Sequence, residues 1–130
     1  MKKTDSLFLG LQHIGIPTAD LDKTIEFYQQ FGFETVWRKD NSETDKVAFL
    51  RCGSCTIETY FTASPAMVNG AVDHIAIDVS DIDEVYSYVS ALGYSSIESQ
   101  ITYLPFFTNG VKYFTIKGVN GEKVEFNQKL

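Results

Sequence analysis

The chain has 130 residues, of which 44% are hydrophobic and 22% charged, and this composition is typical of one globular domain. Its formal net charge of −6 argues against nucleic acid or an anionic membrane as the main partner, because phosphate groups are bound by basic surfaces. The opening MKKTDSLFLGLQH has too short an apolar stretch for a signal peptide, and no run approaches the roughly 20 apolar residues of a membrane span. We therefore expect a soluble, cytoplasmic protein.

The first half of the chain reads as one strand, one helix and three further strands. LQHIGIP alternates apolar and polar residues, as a strand does, and a helical pattern follows it. Gly32 is placed to stop this helix. Three strand-like runs come next, with a tight turn between the last two: FETVWRK, KVAFLRC and CTIETYF. The pattern predicts a βαβββ module.

The second half repeats this pattern after a linker, TASPAMVNGA. VDHIAIDV alternates like the first strand, Ser80 or a nearby Asp is placed to cap the second helix, and Gly93 is placed to stop it. The first strand and helix of the two halves align without a gap at an offset of 61 residues. Three strand-like runs again follow: SSIES, VKYFTIK and EKVEFNQ. Their last strands align at an offset of 67, which places an insertion of about six residues around positions 100–110.

These patterns predict an α+β fold for one domain spanning residues 1–130, built from two tandem βαβββ modules of about 8–64 and 70–130. A single helix cannot cover a four-stranded sheet. We therefore expect the two mixed sheets to pair around a shared cavity. The inserted segment ITYLPFFTNG is rich in aromatic residues and is the best candidate for a lid or wall of that cavity.

Two histidines and two glutamates occupy matching positions in the two modules. His13 and His74 are the only histidines of the chain, and Glu58 and Glu125 match across the last strands. Strand alternation points each of the four away from its apolar neighbours, so each lies on the face opposite the helix. Any one of them alone is more often an ordinary histidine or a solvated carboxylate. Coincidence at all four positions is improbable, so the sequence predicts one metal site.

Two imidazoles and two carboxylates suit a borderline divalent ion, and the carboxylates neutralise its charge. Ligand softness allows Ni, Co, Zn, Mn or Fe and does not choose among them. Six-coordinate geometry would leave two positions for water or substrate. Cys52 and Cys55 have C-x-x-C spacing, but they sit in a predicted hairpin turn and lack a second pair, so we interpret them as ordinary thiols.

The sequence resembles the vicinal oxygen chelate superfamily, also called the glyoxalase/bleomycin resistance/dioxygenase superfamily, over nearly its whole length. The resemblance rests on four segments: HIGIPTADLDKTIEFYQQFGF, CTIETYF, VDHIAIDVSDIDEV and GVKYFTIKGVNGEKVEF. Within the superfamily, His-Glu-His-Glu is similar to the ligand set of glyoxalase I, the lactoylglutathione lyase. The resemblance therefore implies a metal-dependent lyase or isomerase that moves a proton through a metal-bound enediolate. It implies a small-molecule substrate and a homodimer, with each site either within one chain or completed by exchange of modules.

By the same resemblance, Glu125 is the leading candidate for the proton shuttle, and Glu58 is the second candidate. Bacterial glyoxalase I enzymes carry an Arg and an Asn that help hold glutathione where this chain has Pro17 and Thr62. The metal chemistry is thus better supported than the thiol substrate. Further candidates for lining the cavity are cationic and aromatic: Arg51, Tyr60, Tyr103, Phe106, Lys112 and Tyr113.

Three alternatives stay open at this point. An epimerase acting on an acyl or sugar substrate would use similar proton chemistry, although the related methylmalonyl-CoA epimerases usually carry Gln at the position of Glu58. An Fe(II) dioxygenase needs only two histidines and one glutamate, so Glu58 would be surplus. A drug-binding protein without catalysis is disfavoured, because such relatives usually lack a complete ligand set.

Overall fold

The structure is a computed structural model that describes residues 7–130. It divides into two compact units, Met1–Pro65 and Ala66–Leu130. The prediction that the opening segment is not a signal peptide falls partly on residues 1–6, which lie outside the described residues. Neither described helix is long and apolar enough to cross a lipid bilayer.

The first unit contains one helix and a four-stranded mixed sheet. In chain order its elements are β1 (Ile14–Thr18), α1 (Leu21–Gln29), β2 (Glu34–Ser42), β3 (Asp45–Cys52) and β4 (Cys55–Phe61). The strand order across the sheet is β1-β4-β3-β2, with β1 parallel to β4 and the other pairs antiparallel. The predicted βαβββ order is therefore confirmed in this unit.

The second unit has the same order and topology. Its elements are β5 (Ile75–Asp78), α2 (Ile82–Ala91), β6 (Thr102–Leu104), β7 (Val111–Lys117) and β8 (Lys123–Lys129). The strand order is β5-β8-β7-β6, and β5 runs parallel to β8. The prediction of an α+β chain of two βαβββ modules is confirmed.

An aspartate caps the N-terminus of each helix. The Asp20 carboxylate accepts a hydrogen bond from the backbone N–H of Lys23 at 3.1 Å, and Asp81 accepts from that of Glu84 at 3.1 Å. Each bond satisfies one backbone donor that the first turn of a helix leaves unpaired. Asp81, and not Ser80, therefore caps the second helix, and Gly93 follows its C-cap with a left-handed φ of +98°.

The core of each unit lies between its helix and one face of its sheet. In the first unit, Ile16, Leu50 and Ile57 are 8%, 0% and 0% exposed, and α1 covers this face with its own buried residues. In the second unit, Ile116 and Val124 are fully buried on the corresponding face. Because side chains alternate along a strand, the residues between these core positions point to the opposite face of each sheet.

One predicted strand is wrong. SSIES forms no strand, and β6 lies instead at Thr102–Leu104, inside the segment that the repeat comparison treated as an insertion. There it pairs antiparallel with Val111–Tyr113 of β7. The serine-rich run has weak strand propensity, and its Glu98 side chain accepts the Thr115 N–H at 2.6 Å in place of a neighbouring strand's carbonyl.

Candidate metal centre

In the first module, His13 and Glu58 lie side by side on the sheet face opposite α1. His13 comes directly before β1, and Gly15, two residues later, is the register partner of Glu58 on β4. Paired residues on adjacent strands point to the same face, so the three positions share it. The His13 Nε2 atom lies 3.5 Å from Glu58 Oε1, and both side chains are about one third exposed.

An aromatic wall stands beside this pair. Phe49 on β3 is the register partner of Glu58, and its ring meets the His13 ring edge-on at a centroid distance of 5.4 Å. Trp37 on β2 pairs in turn with Phe49, with ring centroids 6.0 Å apart. Trp37 is 51% exposed. A large exposed aromatic side chain next to polar functional groups is a feature of small-molecule binding sites.

A β-bulge decides that Trp37 belongs to this wall. The register of β2 and β3 shifts between Thr35, which pairs with Leu50, and Trp37, which pairs with Phe49. Val36 is the extra residue. In a regular ladder Trp37 would oppose Ala48 and point toward α1, so the bulge turns the indole onto the face of His13 and Glu58.

In the second module, His74 and Glu125 repeat the same arrangement. His74 precedes β5, and Ala76 pairs with Glu125 on β8. The His74 Nε2 atom lies 3.5 Å from Glu125 Oε1, the same separation as in the first module. The other Glu125 oxygen accepts a hydrogen bond from the Asn127 amide at 2.9 Å.

Asp73 holds the other nitrogen of His74. Its Oδ2 atom lies 2.9 Å from His74 Nδ1, while Oδ1 accepts from Asn69 at 3.0 Å and from Lys123 at 3.3 Å. The hydrogen bonds from His74 and Lys123 hold the pKa of the Asp73 carboxyl below its usual value. The equivalent residue of the first module is Gln12, whose Oε1 lies 2.9 Å from His13 Nδ1.

The second module also contains a cavity of about 420 Å³ beside His74 and Glu125. Its wall mixes acidic and polar groups with apolar side chains from the edge of the sheet: Asp73, Glu98, Lys123, Asn127, Thr115, Tyr113, Ile97, Leu104 and Phe106. Leu104 and Phe106 belong to the segment ITYLPFFTNG, so this segment supplies part of a pocket wall.

The other candidate lining residues divide between the two faces of their sheets. Tyr113 and Phe106 line the cavity of the second module. Strand alternation places Lys112 and its partner Tyr103 on the opposite face. In the first module, Tyr60 follows Glu58 by two residues and Arg51 follows Phe49 by two, so both share the face of the pair.

Within residues 7–130, Cys52 and Cys55 belong to no group of side chains that could hold a metal ion, and neither lies at the start of a helix. Cys52 and Cys55 are opposite each other at the β3–β4 hairpin and are both free thiols. Burial raises the pKa of the Cys55 thiol, which makes it a poorer nucleophile at neutral pH. Their interpretation as ordinary thiols agrees with this environment.

The structure thus brings each predicted histidine to the predicted glutamate of its own module. Within residues 7–130, no three His, Cys, Asp or Glu side chains are grouped so that they could hold a metal ion. The union of all four residues in one centre stays a prediction, as does the pairing of the two sheets around a shared cavity.

The sequence analysis missed four residues that contact or flank the two pairs: Trp37, Phe49, Asp73 and Asn127. Asp73 directly precedes His74, and Asn127 lies two residues after Glu125, so polar neighbours on the strand were a usable signal for both. Trp37 had no such signal, because its face depends on a bulge.

Comparison with known sequences identifies the family of the chain. A sequence model of the Glyoxalase/Bleomycin resistance protein/Dioxygenase superfamily matches residues 10–126. The chain belongs to this superfamily. Its similarity to a curated relative extends over most of both chains: it is 33% identical over 127 residues to the uncharacterized protein YwbC of Bacillus subtilis (strain 168), covering 92% of this chain and 97% of YwbC.

Solved structures share the fold of the chain. The chain superposes on SMU.1112c with a TM-score of 0.76 at 21% identity, covering 92% of this chain and 98% of that one. The fosfomycin resistance protein FosX from Listeria monocytogenes, solved with Mn(II) and sulfate, gives a TM-score of 0.72 at 20% identity, covering 95% and 94%. Such identities establish the fold and leave the substrate to be argued from the site.

Proposed function

We propose that the chain is a divalent-metal-dependent lyase or isomerase of the glyoxalase I type. The ion would be Ni, Co, Zn, Mn or Fe, held by His13, Glu58, His74 and Glu125. The proposal includes a homodimer, with each site either within one chain or completed by exchange of modules. The superfamily membership supports metal-assisted chemistry on a small molecule, and the contacts of the two histidine–glutamate pairs support the metal ligands.

The observation that carries the proposal is the contact between His74 and Glu125. The Asp73 carboxylate only accepts hydrogen bonds, so His74 Nδ1 donates to it. In the neutral imidazole, Nε2 then has a lone pair and no hydrogen. That lone pair lies 3.5 Å from a Glu125 oxygen, which is also an acceptor. Two acceptors at this distance repel each other unless Nε2 is protonated or a metal ion lies between them, and the proposal assigns a metal ion to this position.

The distances in both modules suit two ligands of one ion. Imidazole nitrogen and carboxylate oxygen bind such metals at about 2.0–2.2 Å, so two ligands at right angles lie about 3 Å apart. The His13–Glu58 and His74–Glu125 atoms are 3.5 Å apart and need to move by only a few tenths of an ångström. The donor set of two neutral imidazoles and two carboxylates would neutralise a divalent ion.

A metal ion held by these four residues would supply Lewis acidity to the substrate. Glu125 takes a proton from the substrate carbon with one carboxylate oxygen and returns it to the neighbouring carbon. Glu58, the matching residue of the first module, is the second candidate for proton transfer. The Asn127 amide keeps one Glu125 oxygen hydrogen-bonded, which leaves the other oxygen for the ligand or base role.

The charges around the second-module cavity bear on the substrate. Asp73, Glu98 and Glu125 contribute three carboxylates to the cavity wall, and Lys123 contributes one cation that already contacts Asp73. A substrate with several carboxylates, such as a glutathione adduct, would meet repulsion there. Pro17 and Thr62 also lack the cationic and amide groups that hold glutathione in bacterial glyoxalase I, so the thiol of the substrate stays open.

Reconstitution of metal-free protein tests this function. Ni, Co, Zn, Mn and Fe are added separately, and we expect one metal ion to bind per site and to activate isomerisation of a hemithioacetal. His13→Ala and His74→Ala should each weaken metal binding strongly, because each removes one of four ligands. Activity with the glutathione hemithioacetal would support the literal glyoxalase I reaction. Tight metal binding without that activity would favour another thiol or an epimerase substrate. Failure of every metal to bind stoichiometrically would overturn the proposal.

A second candidate function is binding of a flat, apolar small molecule, and the aromatic wall of the first module favours it. Trp37 is half exposed and stands edge-on to Phe49, so its indole ring is available to a ligand. A regular β2–β3 ladder would have turned this indole to the other face, so the bulge is what places it beside His13 and Glu58. Stacking on an exposed indole stabilises planar ligands and needs no metal.

The single tryptophan makes this second function measurable. Titration of metal-free protein at pH 8 with acridine, which is uncharged there, should quench Trp37 fluorescence with a saturable curve. The Trp37→Ala variant lacks the indole, so its binding is measured through the fluorescence of acridine, and its affinity should be about tenfold weaker. Trp37→Phe should retain most of the affinity. Linear quenching without saturation, or equal affinity in the alanine variant, would refute a ligand platform at this position.

A further inference from the structure

The two modules differ in the groups that surround their histidine–glutamate pairs. His74 is flanked by the Asp73 carboxylate, and the equivalent neighbour of His13 is the neutral Gln12. Glu125 is hydrogen-bonded by the Asn127 amide, and the equivalent of Asn127 in the first module is Tyr60. The pairs have the same internal separation, so the difference lies in what holds each side chain and not in the pair itself.

Asp73 and Gln12 have different effects on the imidazole beside them. A carboxylate has no hydrogen to donate, so Asp73 pairs only with a protonated Nδ1, and in the neutral imidazole Nε2 is then unprotonated. A carboxamide has an oxygen acceptor and an NH₂ donor, and rotation by half a turn lets Gln12 pair with Nδ1 in either tautomer. The Asp73 contact at 2.9 Å is shorter than the Glu125 contact at 3.5 Å, so Asp73 selects the Nδ1–H tautomer of neutral His74, whereas Gln12 accommodates either tautomer of His13.

Asp73 is itself held in place. Asn69 and Lys123 donate to its Oδ1 atom at 3.0 and 3.3 Å, while Oδ2 faces His74. Lys123 lies on β8 two residues before Glu125, so the network joins the segment before β5 to the strand that carries the glutamate. The contacts form one continuous chain in space, from Asn69 through Asp73, His74 and Glu125 to Asn127.

We propose that Asp73 and Asn127 are positioning residues that make the second module the pre-organised half of the metal site, while Gln12 and Tyr60 leave the first module's ligands adaptable. This inference rests on the proposed function. Asp73 presents the His74 Nε2 lone pair, and Asn127 fixes one Glu125 oxygen so that the other faces the same point. Groups that orient a metal ligand in this way typically change metal affinity by about 10–100-fold when removed.

The first test needs no metal. Because the chain has only two histidines, ¹⁵N spectra of the imidazole rings resolve both, and His13→Ala assigns them. In metal-free protein above the titration range of histidine, His74 should be mainly Nδ1–H, the tautomer that is minor in free histidine. Asp73→Ala should return it to mainly Nε2–H, with His13 unchanged. A His74 tautomer that is the same in the variant as in the wild type would overturn the role of Asp73.

The second test measures affinity for Co²⁺ by visible absorption with a competing chelator. We expect Asp73→Ala and Asn127→Ala each to weaken binding about 10–100-fold. Asp73→Asn should lose less, because it keeps an oxygen acceptor and makes the second module resemble the first. Gln12→Ala should change affinity by less than about threefold.

The Asn69→Ala variant separates orientation from loop packing. It removes a partner of Asp73 and leaves the contact with His74 in place, so affinity should stay near the wild-type value. An equal loss in Asn69→Ala would mean that Asp73 acts only by ordering the segment, and would overturn the proposal, as would unchanged affinity in both Asp73→Ala and Asn127→Ala. If wild-type protein binds no metal, the proposed function fails on that result, and the tautomer spectra still decide the role of Asp73.

Discussion

Replacement of Glu125 by glutamine should lower hemithioacetal turnover by about 10²–10⁴-fold while the metal content stays near that of the wild type. Glutamine has the same shape and retains an oxygen that can bind a metal, and its NH₂ group can pair with Asn127 when that amide turns its oxygen inward. It cannot accept the proton that the reaction moves. Turnover is measured on protein reconstituted with the most activating metal, and metal content is measured on the same samples.

Two further variants interpret that result. Glu58→Gln removes the matching carboxylate of the first module, and the comparison shows which of the two carries the proton. Glu26→Gln removes one negative charge from the exposed side of α1, which packs on the sheet face opposite His13 and Glu58, and should leave turnover unchanged. Retention of metal and nearly full turnover in Glu125→Gln would show that Glu125 is not the base.

Replacement of Gly121 by alanine should be the most damaging single-methyl change in the second module. Gly121 has a φ of +78°, which costs an L-residue about 1–2 kcal/mol. A Cβ atom there would also overlap the backbone carbonyl of Met67, which cannot rotate away as a side chain can. Overpacking of this kind adds about 1–3 kcal/mol, so the free energy of unfolding should fall by about 2–5 kcal/mol in total. Urea denaturation measures it.

Gly53 provides the matched control for this substitution. It occupies the corresponding hairpin of the first module, between β3 and β4, and also has a positive φ, +57°. A Cβ atom at Gly53 would meet nothing within 4 Å, so Gly53→Ala should cost only the backbone term of about 1–2 kcal/mol. Equal losses in the two variants would show that the contact with Met67 does not matter for stability.

Prediction from the sequence was most accurate where the repeat and strand alternation agreed. His13 and His74 align at a constant offset, and each lies next to the glutamate that the same reasoning selected. The cap of the second helix was predicted only as Ser80 or a nearby Asp, and the structure selects Asp81. These features depend on contacts a few residues apart or on the alternation of a single strand.

Prediction was least accurate at the edges of the two sheets. The strand expected at SSIES is replaced by β6 at Thr102–Leu104, because the Glu98 side chain takes the hydrogen bond that a strand would have offered to Thr115. Trp37 lies on the face of His13 and Glu58 only because Val36 is bulged. Neither outcome follows from propensity, since each depends on a partner distant in sequence.

The sequence by itself determined the two βαβββ modules, the face on which the four candidate ligands lie and, through its relatives, the superfamily. These follow from periodicity, which is a property of the chain taken one strand or helix at a time. Only the tertiary structure decided how each pair is surrounded: Asp73 and Asn127 around one, Gln12 and an aromatic wall around the other. Side-chain hydrogen bonds and bulges depend on geometry between strands, so identical repeat positions acquire different surroundings.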